Sequence, residues 1–221
     1  NPYREKISEF FLFLNPGLYV DDIKTGETNV NFTRKDFVIS LHHSLNPGET
    51  KEFVIRYTGE IDERVCYLDI PDQEYYVTQW SINILRYGKH TALVDDEYTL
   101  LTPECLWYPT VEFQTSPVSL QFADRYFTDY VLTVIHDPSY TVISQGEASQ
   151  TGYGTRFDNA HGLPGLTLCM GIYNKREITI DSTRFELYYF DEKGALFSSL
   201  EATREGLVQG LGEAKTYFEK L

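Results

Sequence analysis

Cysteine is scarce in this sequence, and that scarcity excludes two small-domain architectures. Cys66, Cys105 and Cys169 are the three cysteines among 221 residues. They are far apart and show no Cys-x-x-Cys or His-rich spacing, so neither a disulfide framework nor a structural zinc site is expected. Staples are not needed at this length, because such a chain buries roughly 70–75% of its unfolded surface on folding. Positive charge is short as well: 19 Lys and Arg stand against 33 Asp and Glu, a net charge of −14. Nucleic acid is thereby excluded as a partner, since phosphate binding is carried by Lys and Arg. The acidic surface is sufficiently explained by solubility. No apolar run approaches the roughly 18 residues that span a bilayer, and Phe10 to Leu14 is only strand length, so direct membrane insertion by this segment is not expected. Methionine occurs once, at Met170, and the opening "NPYREK" lacks the basic and then apolar profile of a signal peptide. It reads as a piece excised from a longer protein.

Catalytic signatures are missing too. Among His42, His43, His90, His136 and His161 no pair has the i, i+4 spacing with an adjoining glutamate that places two imidazoles on one helical face. His42 and His43 are adjacent in a strand-like segment and point to opposite faces, so they cannot share a metal. There is no G-x-S-x-G elbow, and Cys105 has no local catalytic partner, which leaves it a small buried hydrophobe. The acidic runs at Asp21 to Glu27 and Asp95 to Glu97 lack a calcium-loop pattern and read as solvated turns. "GYGTRFDNAHGLPG" is glycine-rich without strand-to-helix grammar. "NFT" at Asn31 is a sequon, relevant in a glycosylating host alone.

Aromatic residues are plentiful, with 17 Tyr and 14 Phe, and many alternate with period two, the signature of half-buried strands. Phe10 onwards reads as an apolar strand, an Asn15-Pro16-Gly17 turn and a second strand through Leu18, Val20 and Ile23. Asn46-Pro47-Gly48 repeats the turn, followed by Phe53, Ile55 and Tyr57 on one face. Strands are also expected from Tyr130, Tyr140, Leu166 and Arg176. The fold class is therefore all-β, a multi-sheet sandwich or saddle of mainly antiparallel strands. The C-terminus changes period: Leu200, Leu207, Leu211, Ala214 and Phe218 share a helical face, Ser198 with Glu201 fits a capping box, and Gly206, Gly210 and Gly212 oppose the helix by about 1 kcal/mol each. That helix has little core of its own and reads as the entry to a following, absent domain.

In order, these features resemble the N-terminal β domain of M1 family zinc aminopeptidases. "NVNFTRKDFVISLHHSLNPGETKEFVIRYTGEIDE" is similar to that family's strand ending in Leu, Pro-Gly turn and strand closing on Tyr-x-Gly. "LWYPTVEFQTSPVSLQFADRYFTDYVLTVIHDPSYTVISQG" resembles its next block, through Tyr130 to Ile135, Pro138 and Val142 to Gly146. "LPGLTLCMGIYNKREI" resembles its closing strand, with Gly171 and Tyr173 in the matching places. The resemblance implies a β domain over residues 1–197 and, over 198–221, the start of an absent peptidase domain, the domain's chief partner. It implies a noncatalytic role, capping the active-site cleft and helping to position peptide N-termini. No catalytic residue and no metal ligand are expected in this chain, because the family's G-x-M-E-N and HExxH signatures are not in it. No cofactor is expected here, and zinc is expected in the missing catalytic domain. The segment before the aromatic-Pro motif is shorter than in the family, and Glu104 is the residue that stands in for the Gln or Glu that there binds the substrate's free amino group. The chain also resembles M1-like domains of bacterial membrane permease-type proteins, which implies an extracytoplasmic or membrane-tethered parent. On the residues alone a different class stays open: a β-sandwich binding module for carbohydrate or protein on a bacterial surface protein, with tyrosines lining the groove.

Overall fold

A computed structural model describes residues 1, 4–62, 94, 97–111, 127–190 and 204–220. The described strands are β1 (Phe10–Phe13), β2 (Leu18–Thr25), β3 (Thr28–Asn29), β4 (Phe32–Lys35), β5 (Val38–Leu41), β6 (Val54–Gly59), β7 (Tyr98–Leu101), β8 (Val131–Ile135), β9 (Thr141–Ser144), β10 (Glu147–Thr151), β11 (Gly154–Asp158), β12 (Leu168–Gly171), β13 (Asn174–Ile180) and β14 (Thr183–Tyr189). Among the described residues one α-helix, α1 (Arg204–Phe218), follows. The strands pair antiparallel in sheets ordered β3-β2-β6, β1-β5-β4, β7-β12-β9, β10-β11-β8 and β13-β14. The mostly-β expectation is met by several small sheets, none closed into a barrel.

The core lies between the first two sheets, where Leu14, Leu18, Ile23, Val30, Ile39 and Leu41 form one buried cluster. Leu18, Val20 and Ile23 are spaced by two and then three residues, which a regular strand cannot direct to one side. A bulge resolves this: Val20 pairs with Tyr57 and Asp22 with Arg56, leaving Asp21 over. The extra residue resets the alternation, so Ile23 turns inward and Asp22 outward toward Arg56, 3.5 Å away. At the strand's start β2 and β6 meet backbone to backbone. A Cβ on Gly59, where φ is +136°, would lie 2.1 Å from the Gly17 carbonyl oxygen, and one on Gly17 would lie 2.0 Å from that of Glu60.

Asn15-Pro16-Gly17 is indeed a turn, but not one that makes a hairpin, because β1 and β2 belong to different sheets. The chain changes sheet there, which buries polar backbone that must find partners. Asn15 meets this demand. It is fully buried, its Oδ1 accepts from the Gly17 amide at 2.9 Å and the Asp62 amide at 2.8 Å, and its Nδ2 donates to the carbonyls of Asp62 at 3.1 Å and Cys105 at 2.8 Å.

The stretch from Arg176 forms two strands rather than one. β13 and β14 pair from Asn174↔Tyr189 to Ile180↔Thr183 around a two-residue turn, Asp181-Ser182, with both φ angles positive. That is the sign required of tight hairpin turns compatible with strand twist. Helix α1 rests near this turn: Lys215 Nζ is 3.5 Å from Asp181 Oδ2, and Gly212 faces the Ile180 side chain. The partly buried helical face is Val208, Leu211, Gly212 and Lys215. The helical face expected from the sequence is corrected here: Leu211 is on the packed side, whereas Ala214 and Phe218 are exposed. The two stripes differ by roughly a quarter turn, since each residue advances the helix by a fixed angle. Ser198, Leu200 and Glu201 and the Leu207 side chain lie outside the described residues.

Candidate functional site

The segment carrying Glu104 begins where β7 ends and closes on the first sheets. Pro103–Cys105 form a single 3-10 turn after an extended Thr102. Proline suits that first position, its fixed φ and missing amide costing nothing there. The Thr102 amide donates to the Cys105 thiol at 3.3 Å. Cys105 is fully buried, so its sulfur acts as a packed turn-closing acceptor, in line with its reading as a small hydrophobe. Leu106 ends the turn at φ 53°, left-handed for a residue with a side chain, and is itself buried.

Beyond the turn, the aromatic-Pro motif works as a clamp between two parts of the chain. Trp107 Nε1 donates to the Leu166 carbonyl at 3.2 Å, and the Tyr108 hydroxyl accepts from the Leu166 amide at 3.0 Å. The Trp107 and Tyr108 rings meet edge to face at 4.9 Å. Tyr57 donates its hydroxyl to the Trp107 carbonyl at 3.2 Å, and burial pushes the Tyr57 phenol up. Phe13 and Thr110 exchange two backbone bonds, of 2.7 and 3.0 Å, which ties the end of the segment to β1. The backbone that holds Glu104 is thus fixed on both sides, while the Glu104 side chain itself lies outside the described residues.

The remaining candidates are dispersed. His42 Nδ1 sits 3.1 Å from Glu9 Oε1, whereas His43 packs edge to face on Phe53 at 5.4 Å. His136 Nε2 is 3.0 Å from the Thr155 hydroxyl and its Nδ1 is 2.8 Å from the Asp137 carbonyl. His90, Asp95 and Asp96 lie outside the described residues. Among the described residues no three His, Cys, Asp or Glu side chains gather in a group that could hold a metal ion. The glycine-rich run supplies the turn after β10, strand β11 and the chain that follows, and its one cation, Arg156, is committed to Asp158 through two contacts of 2.8 and 2.7 Å. Tyr173 and Tyr188 pack on each other at 6.1 Å, and Tyr173 on Phe190 at 4.7 Å, so these rings serve packing. Asn15 had no mark in the sequence beyond a turn motif that Asn46 shares. Nothing local announces that its partners are Asp62 and Cys105.

No protein-family model and no curated protein matches the chain. Solved structures do. A two-domain M1 zinc metallopeptidase, in a mutant form bound to L-tryptophan, aligns over 83% of this chain and 40% of its own, with a TM-score of 0.55 and 14% identity. A mutant form of such an enzyme bound to L-arginine aligns with a TM-score of 0.53 at 15% identity. The M1 zinc metallopeptidase from Deinococcus radiodurans aligns over 83% of this chain and 39% of its own, with a TM-score of 0.52 and 14% identity. At such identities the likeness is one of fold, and the chain spans about two fifths of the length of those enzymes.

Proposed function

We propose, from the fold shared with M1 zinc metallopeptidases, that the chain is the noncatalytic N-terminal β domain of an M1-like metallopeptidase, capping its active-site cleft and helping to position peptide N-termini. The observation that carries this reading is the alignment over 83% of the chain, joined to a turn around Glu104 whose flanking backbone is pinned from two directions. A carboxylate on a fixed turn suits recognition of a substrate ammonium, because a charge-assisted hydrogen bond gains most when its acceptor is already placed. The described residues do not provide a zinc donor set: His42, His43 and His136 each engage a different partner. On this reading zinc and the hydrolytic step belong to a separate catalytic domain, as in the M1 zinc metallopeptidases that share the fold.

Two measurements test the proposal. The gene downstream of the Leu221 codon is expected to encode an HExxH helix within about a hundred residues, the span of a typical domain. Its absence would refute the peptidase assignment. In the polypeptide that includes the catalytic domain, Glu104→Gln is expected to raise KM about tenfold for peptides with a free amino terminus, the worth of one hydrogen bond to a charged group. N-acetylated peptides, which lack the ammonium, should be unaffected. An unchanged KM for the free-amine peptides removes Glu104 from the site.

A further inference from the structure

We propose that Asn15 is the positioning residue of the turn that carries Glu104, fixing the backbone of that turn on the framework; its consequence for peptide recognition rests on the amine-binding role proposed above. Three consecutive carbonyls of the segment, those of Cys105, Leu106 and Trp107, each receive a donor from the first sixty residues. Asn15 Nδ2 reaches Cys105 at 2.8 Å, the Asn15 backbone amide reaches Leu106 at 2.8 Å, and the Tyr57 hydroxyl reaches Trp107 at 3.2 Å. One residue thus supplies two of the three.

The carboxamide is held as firmly as it holds. Its Oδ1 accepts from the Gly17 and Asp62 amides, its second Nδ2 proton goes to the Asp62 carbonyl, and its backbone carbonyl accepts from Leu18 N at 3.0 Å and Arg34 Nη2 at 2.7 Å. Rotation of the side chain breaks bonds at both ends at once. Asparagine is also the side chain that fits: the site asks for two donors and an oxygen accepting twice on one planar group, and aspartate has the shape without the donors. The turn needs this outside support. Its internal backbone bonds are Cys105 N to the Thr102 carbonyl and Leu106 N to the Pro103 carbonyl, beside the weak contact of the Thr102 amide with the Cys105 thiol, and Leu106 keeps a left-handed φ of 53°, a state that persists when the surroundings over-determine it.

A positioning residue, once removed, frees its turn selectively, whereas a general packing residue loosens everything around it. Hydrogen exchange on the intact chain separates the two. In Asn15→Asp and Asn15→Ala the Cys105 and Leu106 amides are expected to exchange about tenfold faster or more, the equivalent of one lost hydrogen bond, while amides of β12 keep their protection. Tyr57→Phe, which deletes one hydroxyl, should give a smaller rise. Unchanged exchange at Cys105 and Leu106, or an equal rise in β12, overturns the proposal. A second measurement needs no variant: in the wild-type chain both Asn15 carboxamide protons should be as protected as the Cys105 and Leu106 amides. Exchange at the rate of free asparagine overturns it as well.

In the polypeptide with its catalytic domain, Asn15→Asp should raise KM for free-amine peptides with kcat less affected. If Glu104→Gln leaves KM unchanged, the amine-binding role fails and the exchange data still decide on Asn15. If Glu104→Gln raises KM and Asn15→Asp does not, the positioning role is overturned.

Discussion

Arg34 shows how one cation can be spent on backbone rather than on an acid. It lies on the inner face of β4, opposite Ile39 of β5, and its guanidinium donates to the carbonyls of Leu14, Asn15, Leu18 and Asp36. Burial lowers its pKa somewhat, yet an arginine stays charged at any working pH. A planar fork can serve several carbonyls at once, and a lysine ammonium on a flexible stem cannot. Arg34→Lys is therefore expected to destabilise the chain by about 1–3 kcal/mol, read as a lower urea midpoint with an unchanged slope. Asp137 provides a pH test at the same scale. Its carboxylate accepts from the Ser139 hydroxyl at 2.7 Å and the Ser139 amide at 2.8 Å, which hold its pKa below the ordinary value. Asp158, beside Arg156, is lowered too. Because the folded state binds its protons later than the unfolded one, these groups stabilise above the unfolded pKa near 4 and lose that contribution as pH falls through the lowered folded value. Thermal melts should hold steady down to about pH 5 and decline below about pH 4, with Ser139→Ala making the decline shallower. Little of this residue-level chemistry was legible in the sequence. Asn15 is bonded to Cys105 across 90 positions, and such a partner leaves no local trace.

At the scale of elements, alternation was informative and its interruptions were not. Phe53, Ile55 and Tyr57 face inward together while Val54, Arg56 and Thr58 are exposed, as a period of two requires. Leu18, Val20 and Ile23 marked a strand whose spacing breaks the period of two, and that a bulge at Asp21 reconciles them depends on the pairing with β6. The β13–β14 hairpin was hidden for a related reason: Asp181-Ser182 is not among the strongest turn pairs, and its positive φ values come from the register. Ser182 sits at φ 128°, a region open to glycine and unfavourable for a residue with Cβ. Ser182→Gly, with Asp181 kept for Lys215, should stabilise the chain by about 1 kcal/mol, measured as a higher Tm. Helix α1 formed in spite of Gly206, Gly210 and Gly212. Gly212 lies at the contact with Ile180, where a small residue lets the helix approach the hairpin.

On the scale of the whole molecule, packing is unevenly distributed. The first two sheets share a continuous buried cluster, while α1 touches the remainder through one face and leaves Tyr217 63% and Phe218 70% exposed. Those two rings pack against each other at 5.6 Å. Phe218→Ser should accordingly change stability by less than about 0.5 kcal/mol, as for a surface substitution, with equal or better solubility. A large loss would show that the aromatic end of α1 is already covered in solution. By itself the sequence determined the β class, the inward face of β6, the turns at Asn15 and Asn46 and the helical period of the C-terminus, because each depends on backbone geometry over a few neighbouring residues. Only the tertiary structure decided that the Asn15 turn is a change of sheet, that the buried Asn15 and the partly buried Arg34 are hydrogen-bonding hubs, and that the face of α1 through Val208 and Lys215 packs. Those outcomes depend on which distant carbonyls and side chains arrive at the same place, and a buried polar group takes whichever partner spares it from being left unpaired.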